Sequence, residues 1–200
     1  MIGKPGGTIR IVAGKWRGRK LAVPDGDATR PTGERQRKAL FDILGHGKFA
    51  PGGISCLTGA RVLDAFAGTG ALGLEALSRG AATCVFVEHA APARRVLEAN
   101  IRSLGAGPET RALAMDSTRP TAPPLPPFAP ATLVFLDPPY RAGLAATALA
   151  EFAARGWLAQ GAVCVIELAG DERLAPPAGF AAVDARGYGK TRFEFLTRET

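Results

Sequence analysis

From residue 61 onward the chain alternates short apolar runs with helical stretches, and this alternation constrains the fold more than any other feature. A strand is predicted from Arg61 to about residue 65, a helix over 71–79, a strand over 83–88, a helix over about 91–104 and a strand over 111–115. The run Ala131-Thr132-Leu133-Val134-Phe135-Leu136 reads as a further buried strand, followed by an Ala-rich helix over about 144–154 and a strand from Ala162 to Leu168. Strands and helices in strict alternation call for a parallel sheet covered by helices on both faces. Residues 181–186 and 192–197 flank the turn Gly187-Tyr188-Gly189-Lys190 and predict a closing β-hairpin.

The first strand runs into Asp64-Ala65-Phe66-Ala67-Gly68-Thr69-Gly70. Glycines here let the backbone turn sharply and approach a ligand closely. Gly68, Gly70 and Gly73 satisfy the G-x-G-x-x-G dinucleotide fingerprint, which admits a nicotinamide or flavin enzyme. Asp64 argues against that reading. A pyrophosphate would meet a like charge there, whereas the sulfonium and ammonium of S-adenosylmethionine would be attracted. Glu88 closes the next strand, at a spacing suited to ribose hydroxyls, and Asp116 follows the third, placed to face an adenine amino group. With Asp137, four acids fall at the carboxyl ends of four successive strands, on the rim where open α/β sheets bind ligands.

Asp137-Pro138-Pro139-Tyr140 follows the 131–136 strand directly. The prolines stiffen the turn and carry no N–H, leaving nearby carbonyls to accept hydrogen bonds from a ligand. Tyr140 adds a flat face. Together they suit an exocyclic amino group on a base, with acceptors for its hydrogens and a π-surface beneath the ring.

Charge is distributed unevenly. Residues 1–48 hold eleven Lys/Arg and four acids, and the other 152 residues hold fourteen of each, so the whole net charge of +7 sits in the N-terminal quarter. A focused positive field marks a polyanion partner, with nucleic acid the leading one. Thr8–Ala13 and Arg19–Val23 predict a hairpin around the turn Gly14–Gly18. It carries Arg10, Lys15, Arg17, Arg19 and Lys20, with Trp16 either stacking on a base or anchoring the hairpin. A helix capped by Thr32 and running to about Leu44 presents Arg35, Arg37 and Lys38, and the Arg30-Pro31-Thr32 turn precedes it. These cations are expected to hold phosphates. A division follows: residues 1–48 as a basic, nucleic-acid-binding hairpin and helix, and 49–200 as the catalytic domain.

Three cysteines (56, 84, 164) form no C-x-x-C pair, and neither a disulfide framework nor a metal site is expected. The six prolines of residues 120–130 read as a stiff connector. No run approaches a membrane span and no signal-peptide core is evident, so a cytoplasmic location is expected. Nothing demands a dimer, and a monomer is expected.

With these motifs placed, the chain resembles the RsmD family of bacterial methyltransferases acting on a guanine N2 in small-subunit (16S) ribosomal RNA. The resemblance lies in Arg10-Ile11-Val12-Ala13-Gly14-Lys15-Trp16-Arg17-Gly18-Arg19-Lys20-Leu21, in Arg30-Pro31-Thr32 with Arg35 and Arg37, in Leu63 to Ala81, and in Asp137 to Tyr140. It implies a Rossmann-like class I S-adenosylmethionine-dependent methyltransferase fold. Asp64, Phe66, Ala67, Gly68, Thr69, Gly70, Glu88 and Asp116 would hold the cofactor, and Asp137, Pro138, Pro139 and Tyr140 the target base. The partner implied is ribosomal RNA or an assembling small subunit, which makes residues 1–48 an RNA-binding extension. A DNA adenine-N6 methyltransferase, a nicotinamide-dependent oxidoreductase and a non-catalytic RNA-binding assembly factor are the alternatives. The first would use the same Asp-Pro-Pro-Tyr chemistry.

Overall fold

The computed structural model describes residues 8–24, 33–47, 49, 53 and 55–199. Arg30 and the predicted cap Thr32 lie outside them. A small antiparallel pair, β1 (Thr8–Arg10) and β2 (Lys20–Ala22), and a helix, α1 (Glu34–Gly45), precede the main sheet. The sheet strands are β3 (Arg61–Ala65), β4 (Thr83–Val87), β5 (Thr110–Leu113), β6 (Ala131–Leu136), β7 (Leu158–Ala169), β8 (Phe180–Tyr188) and β9 (Thr191–Arg198). Helices α2 (Ala71–Ser78), α3 (Ala91–Leu104) and α4 (Leu144–Ala154) connect the parallel strands.

The strand order is β5-β4-β3-β6-β7-β9-β8. Strands β3 to β7 are parallel, while β9 runs antiparallel to both β7 and β8. From β3 the chain steps one way to β4 and β5, then returns to place β6 on the other side. That reversal makes a crevice at the carboxyl ends of β3 and β6. Both faces of the central strands are buried. Val62, Phe86, Leu133 and Phe135 join one core, whereas Leu63, Val85, Val134 and Leu136, one residue along on the same strands, join the other. Helices α1, α2 and α3 supply the first core with Leu40, Leu74 and Leu97; α4 supplies the second with Leu149 and Phe152.

Helices α3 and α4 occupy the predicted spans, and α3 ends at Gly105, whose φ of 68° suits a residue without a Cβ. Several boundaries differ from expectation, among them β1, which stops at Arg10 rather than Ala13, and β8, which runs from Phe180 to Tyr188. Strand β5 lies at 110–113 because the chain leaves the sheet at Ala114 to enter a turn around Asp116. Strand β7 begins at Leu158, where exposed Gln160 and Gly161 carry no apolar signal and the pairing with β6 changes register. Gly33, with no side-chain cap, starts α1. The Pro-rich segment buries Phe128 under the Arg111 guanidinium (4.2 Å to the ring centroid), and its Thr121 carbonyl accepts the Trp157 Nε1–H at 2.8 Å.

The N-terminal hairpin packs against the α2/α3 side of the molecule. Ile11 and Leu21 are buried in the same core as Val62. Glu75 on α2, fully buried, accepts the Val12 and Ala13 N–H groups at 2.7 and 3.0 Å. Ser78 accepts from the Lys15 and Trp16 amides through its carbonyl and hydroxyl. Asn100 on α3 both donates to and accepts from the Ala22 backbone. Trp16 is half-buried against this core, with Lys15 Nζ 4.4 Å above its ring, which is the anchoring role rather than an open stacking face. No helix among the described residues is long and apolar enough to cross a membrane.

Candidate active site

In the parallel ladder Asp64 pairs with Phe135 and Ala65 with Leu136, so the loops that follow β3 and β6 open side by side at the crevice. The β3 loop is held open by its own chemistry. Phe66 adopts φ 62°, a left-handed conformation costly for a residue with a Cβ, and Gly70 caps α2 at φ 80°. Ala67 donates its amide to the Val87 carbonyl, and the Thr69 carbonyl accepts from Asn100 Nδ2 at 3.0 Å. Gly73 sits where a Cβ would lie 2.4 Å from the Phe86 ring and 2.6 Å from Cys84 Sγ, which brings α2 close against β4.

Asp64 is 1% exposed, and its Oδ2 accepts the Gly73 N–H at 2.8 Å, satisfying a donor in the first turn of α2. Burial pushes its pKa up to about 8. Glu88 accepts from the Gly68 amide at 2.9 Å with Oε2 and from Ala90 at 2.7 Å with Oε1, clasping the glycine loop to the end of β4. Asp116 is exposed, and hydrogen bonds from the Thr118 amide and hydroxyl hold its carboxyl below the usual carboxylate range. Asp64 and Glu88 flank a loop that carries no cation, and with Asp116 just past the end of β5 they offer acceptors suited to a positively charged, hydroxyl-bearing ligand. Open space adjoins Gly68, where an added Cβ would meet nothing within 4 Å. The site therefore fits S-adenosylmethionine.

Across the crevice, Asp137 emerges from β6 with its carboxyl pushed well above the ordinary value by burial and by the nearby carboxylates of Glu167 and Asp64. Tyr140 is half-exposed, and its hydroxyl lies 3.0 Å from Glu167 Oε1 and 3.5 Å from Thr191 Oγ1. Anchored at the hydroxyl end, the ring stands as a platform at the crevice mouth. Pro138, Pro139, Tyr140 and Glu167 border a cavity of about 70 Å³ that extends towards the start of α4. Arg141, at φ 60°, is the second described non-glycine residue in the left-handed region, so both loops of the crevice carry backbone strain.

No sequence motif singles out Glu167. It lies inside an almost wholly buried stretch of β7, where its charge is the signal: a carboxylate is rarely buried without a specific role. Nor does sequence reasoning assign a role to Glu75 or Asn100, the two residues that bind the hairpin to α2 and α3.

The basic residues divide. Arg17, Lys20 and Arg35 are exposed. Arg10, also exposed, lies with Arg17, Arg35 and Lys38 around a groove of about 460 Å³ between the hairpin and α1. Lys15 is engaged by Glu109 at 2.7 Å and Arg19 donates to the Ser103 carbonyl, both at the surface. Arg37 corrects the expectation of a phosphate contact. It is wholly buried, donates Nη2 to the Arg10 carbonyl and lies 3.7 Å from Glu75 Oε2. The helix turns that position inward, beside Leu40, Phe41 and Leu44.

A seven-stranded sheet of this order, with its reversed β9 and a ligand crevice at the carboxyl ends of β3 and β6, is the Rossmann-like fold of class I methyltransferases. A family model described as conserved hypothetical protein 95 matches residues 9–197. The chain belongs to this family, the RsmD family that its motifs resemble. It is 36% identical to ribosomal RNA small subunit methyltransferase D of Escherichia coli (strain K12) over 198 residues, covering 96% of this chain and 91% of that protein. It is 32% identical to the Haemophilus influenzae protein of the same name, over 92% and 90% of the two chains. Among solved structures, the Escherichia coli protein yhhF superposes with a TM-score of 0.77 at 35% identity, covering 96% of this chain and 99% of that one.

Proposed function

We propose that this protein transfers a methyl group from S-adenosylmethionine to the exocyclic N2 of a guanine in 16S ribosomal RNA, working in the cytoplasm on RNA of the small subunit. The observation that carries this reading is the placement of Asp137 to Tyr140 beside the acid-lined glycine loop, in a chain whose relatives are named for this RNA. Asp64, Glu88 and Asp116, with the loop Phe66 to Gly70, would hold the cofactor, which supplies an electrophilic methyl on sulfur.

Guanine N2 is a weak nucleophile because its lone pair is delocalised into the ring. Asp137 and the Pro138 carbonyl each accept one N–H and localise that pair on nitrogen. As the N–C bond forms, the C–S bond breaks and its electrons go to sulfur, leaving a neutral thioether. The positive charge that develops on N2 is stabilised by Asp137, and the amino proton departs to a carboxylate or to water. Alignment of the two reactants supplies much of the acceleration. A paired base cannot reach the crevice, so the target is unpaired or flipped out, its ring against Tyr140. The groove bordered by Arg10, Arg17, Arg35 and Lys38 would hold the flanking phosphates, and in this functional sense residues 1–48 serve the RNA and 49–200 the transfer.

The test offers labelled S-adenosylmethionine with unmodified small-subunit particles, naked ribosomal RNA or duplex DNA. Label is expected in N2-methylguanine and lost in Asp137→Ala. Label in N6-methyladenine would replace the guanine reading, and full cellular function of Asp137→Ala would favour a non-catalytic assembly role.

A further inference from the structure

The Asp-Pro-Pro-Tyr turn by itself does not distinguish the two purines. Asp137 and the Pro138 carbonyl accept hydrogens from an exocyclic amino group, and both guanine and adenine carry one. The atoms beside that group differ. Guanine places the N1–H donor next to its amino group, whereas adenine places the N1 lone pair there. A site that selects guanine therefore needs a second acceptor next to the one that takes the amino hydrogens.

The structure supplies one. Leu136 of β6 pairs with Ile166 of β7, so Asp137, just past the end of β6, and Glu167, still inside β7, stand at the same level on neighbouring chain segments. Adjacent strands lie about 4.8 Å apart, a separation that lets two carboxylates address neighbouring atoms on one base edge. Glu167 is 3% exposed, borders the same small cavity as Pro138, Pro139 and Tyr140, and is oriented by the Tyr140 hydroxyl at 3.0 Å. Burial and then the Glu167 carboxylate raise the Asp137 pKa, so the two acids lie close enough to repel each other when both are charged. That repulsion is offset when a ligand presents two adjacent donors.

We infer that Glu167 selects guanine by accepting its N1–H while Asp137 accepts from its N2 amino group. The inference rests on the guanine-N2 reading given above. Adenine in the same pose turns a lone pair towards a carboxylate, a repulsive contact that disfavours the wrong base. Tyr140 thus has two jobs: its ring supports the base and its hydroxyl holds the selecting carboxylate.

The experiment uses ribosomal RNA carrying either guanine or 2-aminopurine at the methylated position, reconstituted with small-subunit proteins. 2-Aminopurine keeps the amino group and replaces N1–H with a lone pair. The wild-type protein is expected to favour guanine by about 100-fold or more in kcat/KM. In Glu167→Gln, whose amide offers a donor as well as an acceptor, that preference should shrink by about 10-fold or more while cofactor affinity holds. Tyr140→Phe should narrow the preference partially. A wild-type ratio near one, or a ratio unaltered in Glu167→Gln, overturns the inference even if guanine N2 is the target. Wild-type protein that places no methyl on guanine N2 overturns the functional reading instead, and the inference with it.

Discussion

Arg37 on α1 and Glu75 on α2 form an ion pair in which both side chains are wholly buried, Nε to Oε2 3.7 Å. Around this pair the N-terminal segment is fastened to the catalytic sheet. Glu75 also accepts two hairpin amides and the Arg79 Nε–H at 2.8 Å, and Arg79 reaches back to Asp42 on α1. One carboxylate on α2 therefore sets where the hairpin and α1 stand, and with them the basic groove.

Glu75→Ala should cost about 3–5 kcal/mol, since it strips a carboxylate from a buried guanidinium and orphans two backbone donors. Urea denaturation measures the loss, and limited proteolysis should show cleavage of residues 8–24 before the rest of the chain. Replacing both members, as Arg37→Met with Glu75→Leu, should cost less than Glu75→Ala alone, because the buried Arg37 guanidinium goes with its partner while the Val12 and Ala13 amides stay orphaned in both. Equal losses in the single and double variants would contradict a coupled pair.

Asp64 should tie cofactor binding to protons. Its pKa is raised from an ordinary 3.8 to about 8, so the folded protein holds a proton there that the unfolded chain releases above pH 4. Stability should consequently fall as pH rises from about 4 to 8, and this share of the slope should vanish in Asp64→Asn, which keeps an acceptor for the Gly73 amide. Thermal melts at pH 5 and 8 compare the two. A cationic ligand favours the charged carboxylate, so S-adenosylmethionine should bind with proton release at pH 7, read by calorimetry in buffers of different ionisation enthalpy. Asp64→Asn should weaken that binding by about 10-fold or more.

Gly73→Ala weighs two effects of opposite sign. Alanine gains about 1 kcal/mol in helix propensity. Its Cβ would stand 2.4 Å from the Phe86 ring and 2.6 Å from Cys84 Sγ, neither of which is a flexible chain end. Overpacking of this kind costs about 1–3 kcal/mol. The steric term should win, giving a lower Tm. Shifting α2 would also displace the glycine loop, so cofactor affinity should fall alongside stability.

Joint replacement of the exposed Arg17, Lys20 and Arg35 by alanine should weaken RNA binding with little change in Tm or cofactor affinity. The dependence of log Kd on log salt should become shallower, by about one unit of slope for each phosphate that a side chain no longer neutralises. Arg37→Ala should do the opposite, unfolding the protein before it reveals any effect on RNA. Filter binding across a salt series, set beside thermal melts, separates the two outcomes.

Much of this molecule is written locally. The alternation of apolar strands with helices ended by Gly80 and Gly105 determined the sheet, because strand and helix periods and C-terminal glycines are properties of a few neighbouring residues. The positions of Asp64, Glu88 and Asp137 at strand ends were legible for the same reason. Tertiary structure decided which charges face water and which face one another. Arg35 and Arg37 are two residues apart on one helix, yet one is exposed and the other lies in the core, because 100° per residue turns them to different sides and only the docking of α2 makes the second side an interior. Glu167 stands thirty residues from Asp137 in the chain and beside it on the rim, a proximity set by β6–β7 pairing. Sequence records which residues can carry charge; the solvent each one loses on packing decides what that charge can do.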